Sequence, residues 1–146
     1  MNADRNYGRS AAEWAQLEAV GWKFLLDTAR QPVKCVTSYS ELNHVLADNT
    51  GQPEWNFDRE ADRAAMGELL GRLSDRSFGE CGVMISVLCM YLRTNEVAPG
   101  FYNKAIDLGL LKPGQSRAAR EAFWVEHLKK VQTWARARKM TAGARS

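Results

Sequence analysis

The apolar positions of this chain change period several times, and those changes divide it into elements. Trp14, Leu17, Gly21, Phe24, Leu25 and Thr28 recur at the spacing of one helical face. Ser10 followed by Glu13 has the form of a capping box, so a helix is predicted from about Ser10 to Arg30, ended by Pro32. The run Val33 to Thr37 carries two β-branched valines and reads as a short strand. Ser38 with Glu41 repeats the capping signature and opens a second helix with Leu42, Val45 and Leu46 inward. The polar, turn-rich stretch Asp48 to Asp58 ends that helix in a loop, with Trp55 and Phe57 as its anchors. From Arg59 to Phe78 helical spacing returns in Met66, Leu69, Leu70 and Leu73, and Gly79 and Gly82 punctuate its end.

Val83 to Leu92 is short and nearly continuously apolar, which predicts a strand covered on both faces at the centre of the fold. A polar loop, Arg93 to Gly100, leads to a short helix from Phe101 to Leu108 that Gly109 stops. After a break at Pro113-Gly114, Ser116 caps a long final helix. Phe123, Leu128, Val131 and Trp134 point inward there, and Arg120, Lys129, Lys130, Arg136 and Lys139 outward. Thr141 to Ser146 is expected as a disordered tail. No internal repeat or long linker divides the chain, so one globular α+β domain over about residues 1–140 is predicted, with four or five helices around a small sheet.

Composition narrows the function more than the fold. An apolar share of 45% over 146 residues suffices for one core. No apolar run approaches the roughly 20 residues that cross a bilayer, and Met1 to Ser10 is polar, so a cytoplasmic protein without membrane contact is expected. Cys35, Cys81 and Cys89 lack paired metal-ligand spacing and only His44 and His127 could join them, so free thiols are expected, with no metal and no cofactor. Charge is uneven: residues 1–111 carry eleven Lys/Arg against fifteen Asp/Glu, whereas residues 112–146 carry nine against two. A basic C-terminal segment of this kind suits nucleic acid or an acidic protein.

The segments TSYSEL (37–42), RAAMGELLGRL (63–73), VMISVLCMYLR (83–93) and PGFY (99–102) follow in the order a helix-helix-hairpin unit needs. In that order they resemble the C-terminal winged-helix domain of the O6-alkylguanine DNA alkyltransferases, over roughly residues 36–102. The resemblance implies a winged-helix-like core with Tyr39 on the DNA backbone, Arg63 inserted into the duplex and Cys89 as alkyl acceptor. Where that family carries Pro-Cys-His-Arg-Val, this chain reads Leu88-Cys89-Met90-Tyr91-Leu92. With no adjacent histidine to form a thiolate, alkyl transfer is not expected. The chain is also similar to uncharacterised proteins of actinobacteria and their phages that combine YxEL, MGxLLG and PGxGFY-like segments, which implies an accessory protein of a phage or mobile element.

Arg59, Arg63, Gly67 and Gly71 are spaced by four and share one stripe of the third helix. Two readings of that stripe stand side by side, close approach of a phosphate backbone and close packing of another helix. No catalytic carboxylate, glycine-rich phosphate loop or nucleophile elbow is present to support an enzyme. Two binding roles therefore compete, and DNA binding, for which both the winged-helix resemblance and the basic C-terminus argue, is the one expected, with docking on a host protein as the alternative. A DNA-binding protein would use Tyr39, Ser40, Arg59, Arg63, Lys129, Lys130, Arg136, Arg138 and Lys139. A module docking on a host protein would use Trp55, Tyr102, Trp124 and Arg136. The two differ in whether the Arg59-Arg63 stripe and the basic C-terminal face point to the same side. A second copy of the chain is a further candidate partner.

Overall fold

A computed structural model describes residues 6–90 and 99–145, the side chains of 99 and 139–145 excepted. The architecture is mostly helical with one small sheet, broadly α+β: α1 (Ala11–Ala29), β1 (Thr37–Ser38), α2 (Tyr39–Thr50), α3 (Glu60–Cys81), a 3-10 turn (Ile85–Leu88), β2 (Cys89–Met90), α4 (Pro99–Asp107) and α5 (Arg117–Arg145). The two strands pair in parallel, Thr37 with Cys89 and Ser38 with Met90. The loop expected over residues 93–100, where a wing would lie, falls mainly on residues 91–98, outside the described ones. No helix among the described residues is long and apolar enough to cross a membrane.

Local chemistry sets the helix ends. At α1 the capping box is complete, with Ser10 Oγ accepting from the Glu13 N–H and Glu13 Oε1 from the Ser10 N–H. At α2 only half of one forms: Ser38 Oγ accepts from the Glu41 N–H, while the Glu41 carboxylate accepts from the Thr37 hydroxyl at 3.0 Å. Gly51 and Gly82, both at φ 74°, close α2 and α3 in the left-handed conformation that glycine adopts without strain. Gly79 lies within α3, so only the second glycine of the expected pair ends the helix. α5 continues to Arg145, through the stretch in which the sequence pattern places a tail.

The loop after α2 is pinned as its aromatic residues suggested. Asn43 donates to the Trp55 carbonyl at 2.8 Å and accepts the Trp55 N–H at 3.0 Å, and the Trp55 ring packs 6.0 Å from that of Trp14. Such a reciprocal amide pair leaves no backbone group of Trp55 unsatisfied.

The central segment is where pattern and structure differ. Val83 to Cys89 is wholly buried, as an apolar run should be, yet a 3-10 turn replaces most of the predicted strand. Buried peptide groups need partners, and the neighbouring strand supplies only two residues of ladder. The turn's own Val87 N–H to Met84 carbonyl bond and side chains of the surrounding helices supply others. Ser77 Oγ accepts the Ile85 N–H at 2.9 Å and donates to the Val83 carbonyl at 2.7 Å, while Ser74 Oγ accepts the Ser86 N–H at 3.1 Å and donates to Ser86 Oγ. From α5, His127 Nε2 accepts the Met84 N–H at 2.8 Å and Trp124 Nε1 donates to the Val87 carbonyl at 3.1 Å. Trp124, named above as a contact for a host protein, is half-buried and turned into the protein.

His127 is 3% exposed, stacks on Phe123 at 5.2 Å and packs edge-on to Phe101 at 6.2 Å. Burial, and then the neighbouring Lys130 charge, hold it down to about 4 from an ordinary 6.5. To accept from Met84 it keeps Nε2 bare and carries its proton on Nδ1. Between pH 6.5 and 4 the unfolded chain binds a proton that the folded chain does not. Its contribution to stability is therefore complete above pH 6.5 and lost as pH falls through that window, on the order of 3 kcal/mol in all. Urea titrations from pH 7 to 4 should show this loss, and His127→Gln, which has no proton to gain, should flatten it.

Candidate functional site

The exposed stripe of α3 is bare. A Cβ built on Gly67 or Gly71 meets nothing within 4 Å among the described residues, whereas one on Gly21 of α1 comes within 3.1 Å of Leu73. Close helix packing thus uses Gly21, and the packing reading of Gly67 and Gly71 is corrected. The two glycines form a crest with a depression on each side.

On one side lies a cavity of about 590 Å³ between α3, the start of α2 and α4. Phe57, Met66, Leu70 and Phe101 give it an apolar floor, and Tyr39, Ser40, Arg63, Asn103, Lys104 and Asp107 give it a polar rim. The TSYSEL, RAAMGELLGRL, VMISVLCMYLR and PGFY segments all contribute to this wall, the third through Ser86. On the other side Tyr7, Ala64, Glu68, Arg72 and Asp75 surround a shallower depression of about 340 Å³ that shares Gly67, Gly71 and Lys104 with the first.

Both signs of charge meet at this crest. Arg63 donates to the Phe57 carbonyl at 2.6 Å, and Lys104 pairs with Asp75 at 2.7 Å, tying α4 to α3. Arg72 donates to Glu68 at 2.7 Å, lies 3.2 Å from Glu18 and sits 4.4 Å above the Trp14 ring. Two carboxylates and an aromatic ring thus hold this guanidinium in the wall, and the Glu68 hydrogen bond, above all, raises its pKa further. Asn103 and Asp107 face the cavity one turn apart on α4. They were not singled out in the sequence, although polar residues sharing one side of a short helix, with Phe101 and Ala105 on the other, were a legible signal.

The expected DNA contacts divide. Tyr39, Ser40 and Arg63 line the same cavity. Arg59, exposed, is the N-cap of α3 without a side-chain capping bond. The α5 cations gather elsewhere: Arg138 pairs with Glu80 at 2.6 Å, and Arg136 donates to the Gln31 carbonyl at 3.1 Å. Lys129 and Lys130 are exposed, Lys130 lying 3.9 Å from Glu126, and the Lys139 side chain is outside the described residues. From Arg63 to Glu80 the helix rises about 25 Å, so the basic end of α5 meets the opposite end of α3.

Nor do the expected protein contacts form one surface. Trp55 is 6% exposed and belongs to the core, Trp124 is held by Val87, and Arg136 is held by Gln31. Tyr102 is half-buried against Phe101 at 5.3 Å, under the Arg120 guanidinium. The abundance of tryptophan reflects interior packing: Trp14, Trp22 and Trp134 are buried as well.

Cys89, the position that the alkyltransferase resemblance aligns with an acceptor, is 1% exposed, and burial first, then the Glu41 charge, push its thiol well above the ordinary range. A neutral thiol without access is no nucleophile. Among the described residues no group of three His, Cys, Asp or Glu is arranged to hold a metal ion. No family model, curated protein or solved structure matches this chain.

Two measurements check this geometry. Gly67→Ala and Gly71→Ala, each in a helix interior with open space, should stabilise the fold by about 0.5–1 kcal/mol in thermal melts, while Gly21→Ala should give no such gain. In thiol titration of the native protein, exposed Cys81 should react first and Cys89 only after unfolding.

Proposed function

We propose that this chain is a non-catalytic protein-binding module whose contact surface is the α3 crest with the cavity beside it. The observation that carries this reading is the bare glycine crest above an apolar floor of Phe57, Met66, Leu70 and Phe101. An exposed apolar hollow with a mixed-charge rim suits burial of a protein segment. Arg63 and Lys104 are balanced by Asp75 and Asp107, so the rim lacks the basic excess on which polyanion binding depends.

A second reading, DNA binding through a winged-helix-like unit of α2 and α3, draws on one specific observation. Tyr39, Ser40 and Arg63, the contacts implied by the alkyltransferase resemblance together with their neighbour, share one cavity. An accessory role in a phage or mobile element is compatible with either.

Affinity capture with wild-type and Gly67→Leu baits separates them, because the leucine fills the hollow from an open position. The expected result is a partner retained by wild type and lost with Gly67→Leu, beside only weak binding of labelled duplex and single-stranded DNA at low salt. Tight, salt-sensitive DNA binding that disappears in Arg63→Ala would replace this conclusion with the second reading.

A further inference from the structure

We propose that two copies of this chain pair antiparallel along α3, crest against crest. The inference deepens the protein-binding reading and rests on it, the partner being a second copy. The outer face of α3 carries Arg63, Gly67, Gly71 and Asp75 at intervals of four, with Arg59 and Gly79 at its two margins, and among the described residues nothing lies within 4 Å of a Cβ built on Gly67 or Gly71. A two-fold axis midway between Gly67 and Gly71 sets each of these glycines against the other in the second copy. The same axis sets Arg63 against Asp75 twice, once on each side of the crossing. Arg59 is then brought to the last turn of the opposite helix, the negative end of its dipole. A parallel pairing in register would oppose Arg63 to Arg63 and Asp75 to Asp75, so charge selects the antiparallel orientation.

The groups concerned are accessible. Arg63 is exposed, and the Asp75 side chain is 57% exposed even in its pair with Lys104. Beyond its bond to the Phe57 carbonyl, the Arg63 guanidinium has further N–H donors, and Asp75 has a second carboxylate oxygen. Without side chains on the crest, two backbones can approach more closely than the usual 8–10 Å between helix axes, each rim entering the hollows beside the other crest.

Sedimentation equilibrium over micromolar to submillimolar protein at low salt tests this. Wild type should dimerise. Arg63→Asp and Asp75→Arg should each weaken the dimer about tenfold or more, since each turns two attractive pairs into repulsive ones. Combining the two substitutions should restore wild-type affinity within a few-fold. Lys129→Ala, an exposed position on α5 outside both hollows, should leave dimerisation intact, and circular dichroism melts confirm that each variant folds. A wild-type chain that is monomeric throughout, single variants that dimerise like wild type, or a double variant without recovery would each overturn the proposal. A monomer that still loses a captured partner in Gly67→Leu would overturn the pairing alone and leave the protein-binding reading in place.

Discussion

The fold depends on satisfying the backbone of one buried, irregular segment. Val83 to Cys89 lies at the centre, where an unpaired peptide group costs about as much as a lost hydrogen bond, and no sheet is wide enough to accept it. Ser74 and Ser77 from α3 and His127 and Trp124 from α5 take its polar groups instead. Because each helix is held to this segment by directional bonds as well as apolar contact, their separation is fixed to within hydrogen-bond tolerance. Ser86 belongs to the same network and to the cavity wall, so the hollow inherits its shape from the core.

Placement of small residues then decides what remains open. Gly21 takes up a close approach between α1 and α3, and Leu73 fills that space. With the core side of α3 so completed, Gly67 and Gly71 lie on its outer side, where nothing among the described residues covers them. Charge is arranged to keep this side near neutral. Arg72 is held by two carboxylates, Lys104 by Asp75 and Arg63 by a carbonyl, while Arg138 and Arg136 of α5 are turned toward Glu80 and Gln31.

Much of the helical framework was legible because its signals are local. The Ser10-Glu13 box, the α1 face from Trp14 to Thr28 and the Trp55 anchor all act within a few residues or one loop. The central segment was read as a strand because a short continuous apolar run announces burial without announcing conformation. Only serines 8 and 12 residues upstream and a histidine 43 residues later decide that it turns, and nothing local marks them as its partners. Trp124 was misplaced for the same reason: its phase on α5 is that of a half-exposed position, and a single carbonyl of the buried segment draws it in. Of the residues around the cavity, Tyr39, Ser40 and Arg63 are named in the sequence as DNA contacts, whereas Asn103, Lys104 and Asp107 join them only through the placement of α4.

The bond from His127 to Met84 also orders events in time. The segment it satisfies precedes it by 43 residues, and the clasp of Arg30 on the Ala135 carbonyl and Arg136 on the Gln31 carbonyl joins positions 105 apart. Such contacts form only after long loops have closed, and until then the central peptide groups are either solvated or unpaired. In a growing chain the bonds that His127 and Trp124 make to the centre therefore wait until α5 has been made. Its last helix acts as the closing piece of a core that the first ninety or so residues outline but cannot complete.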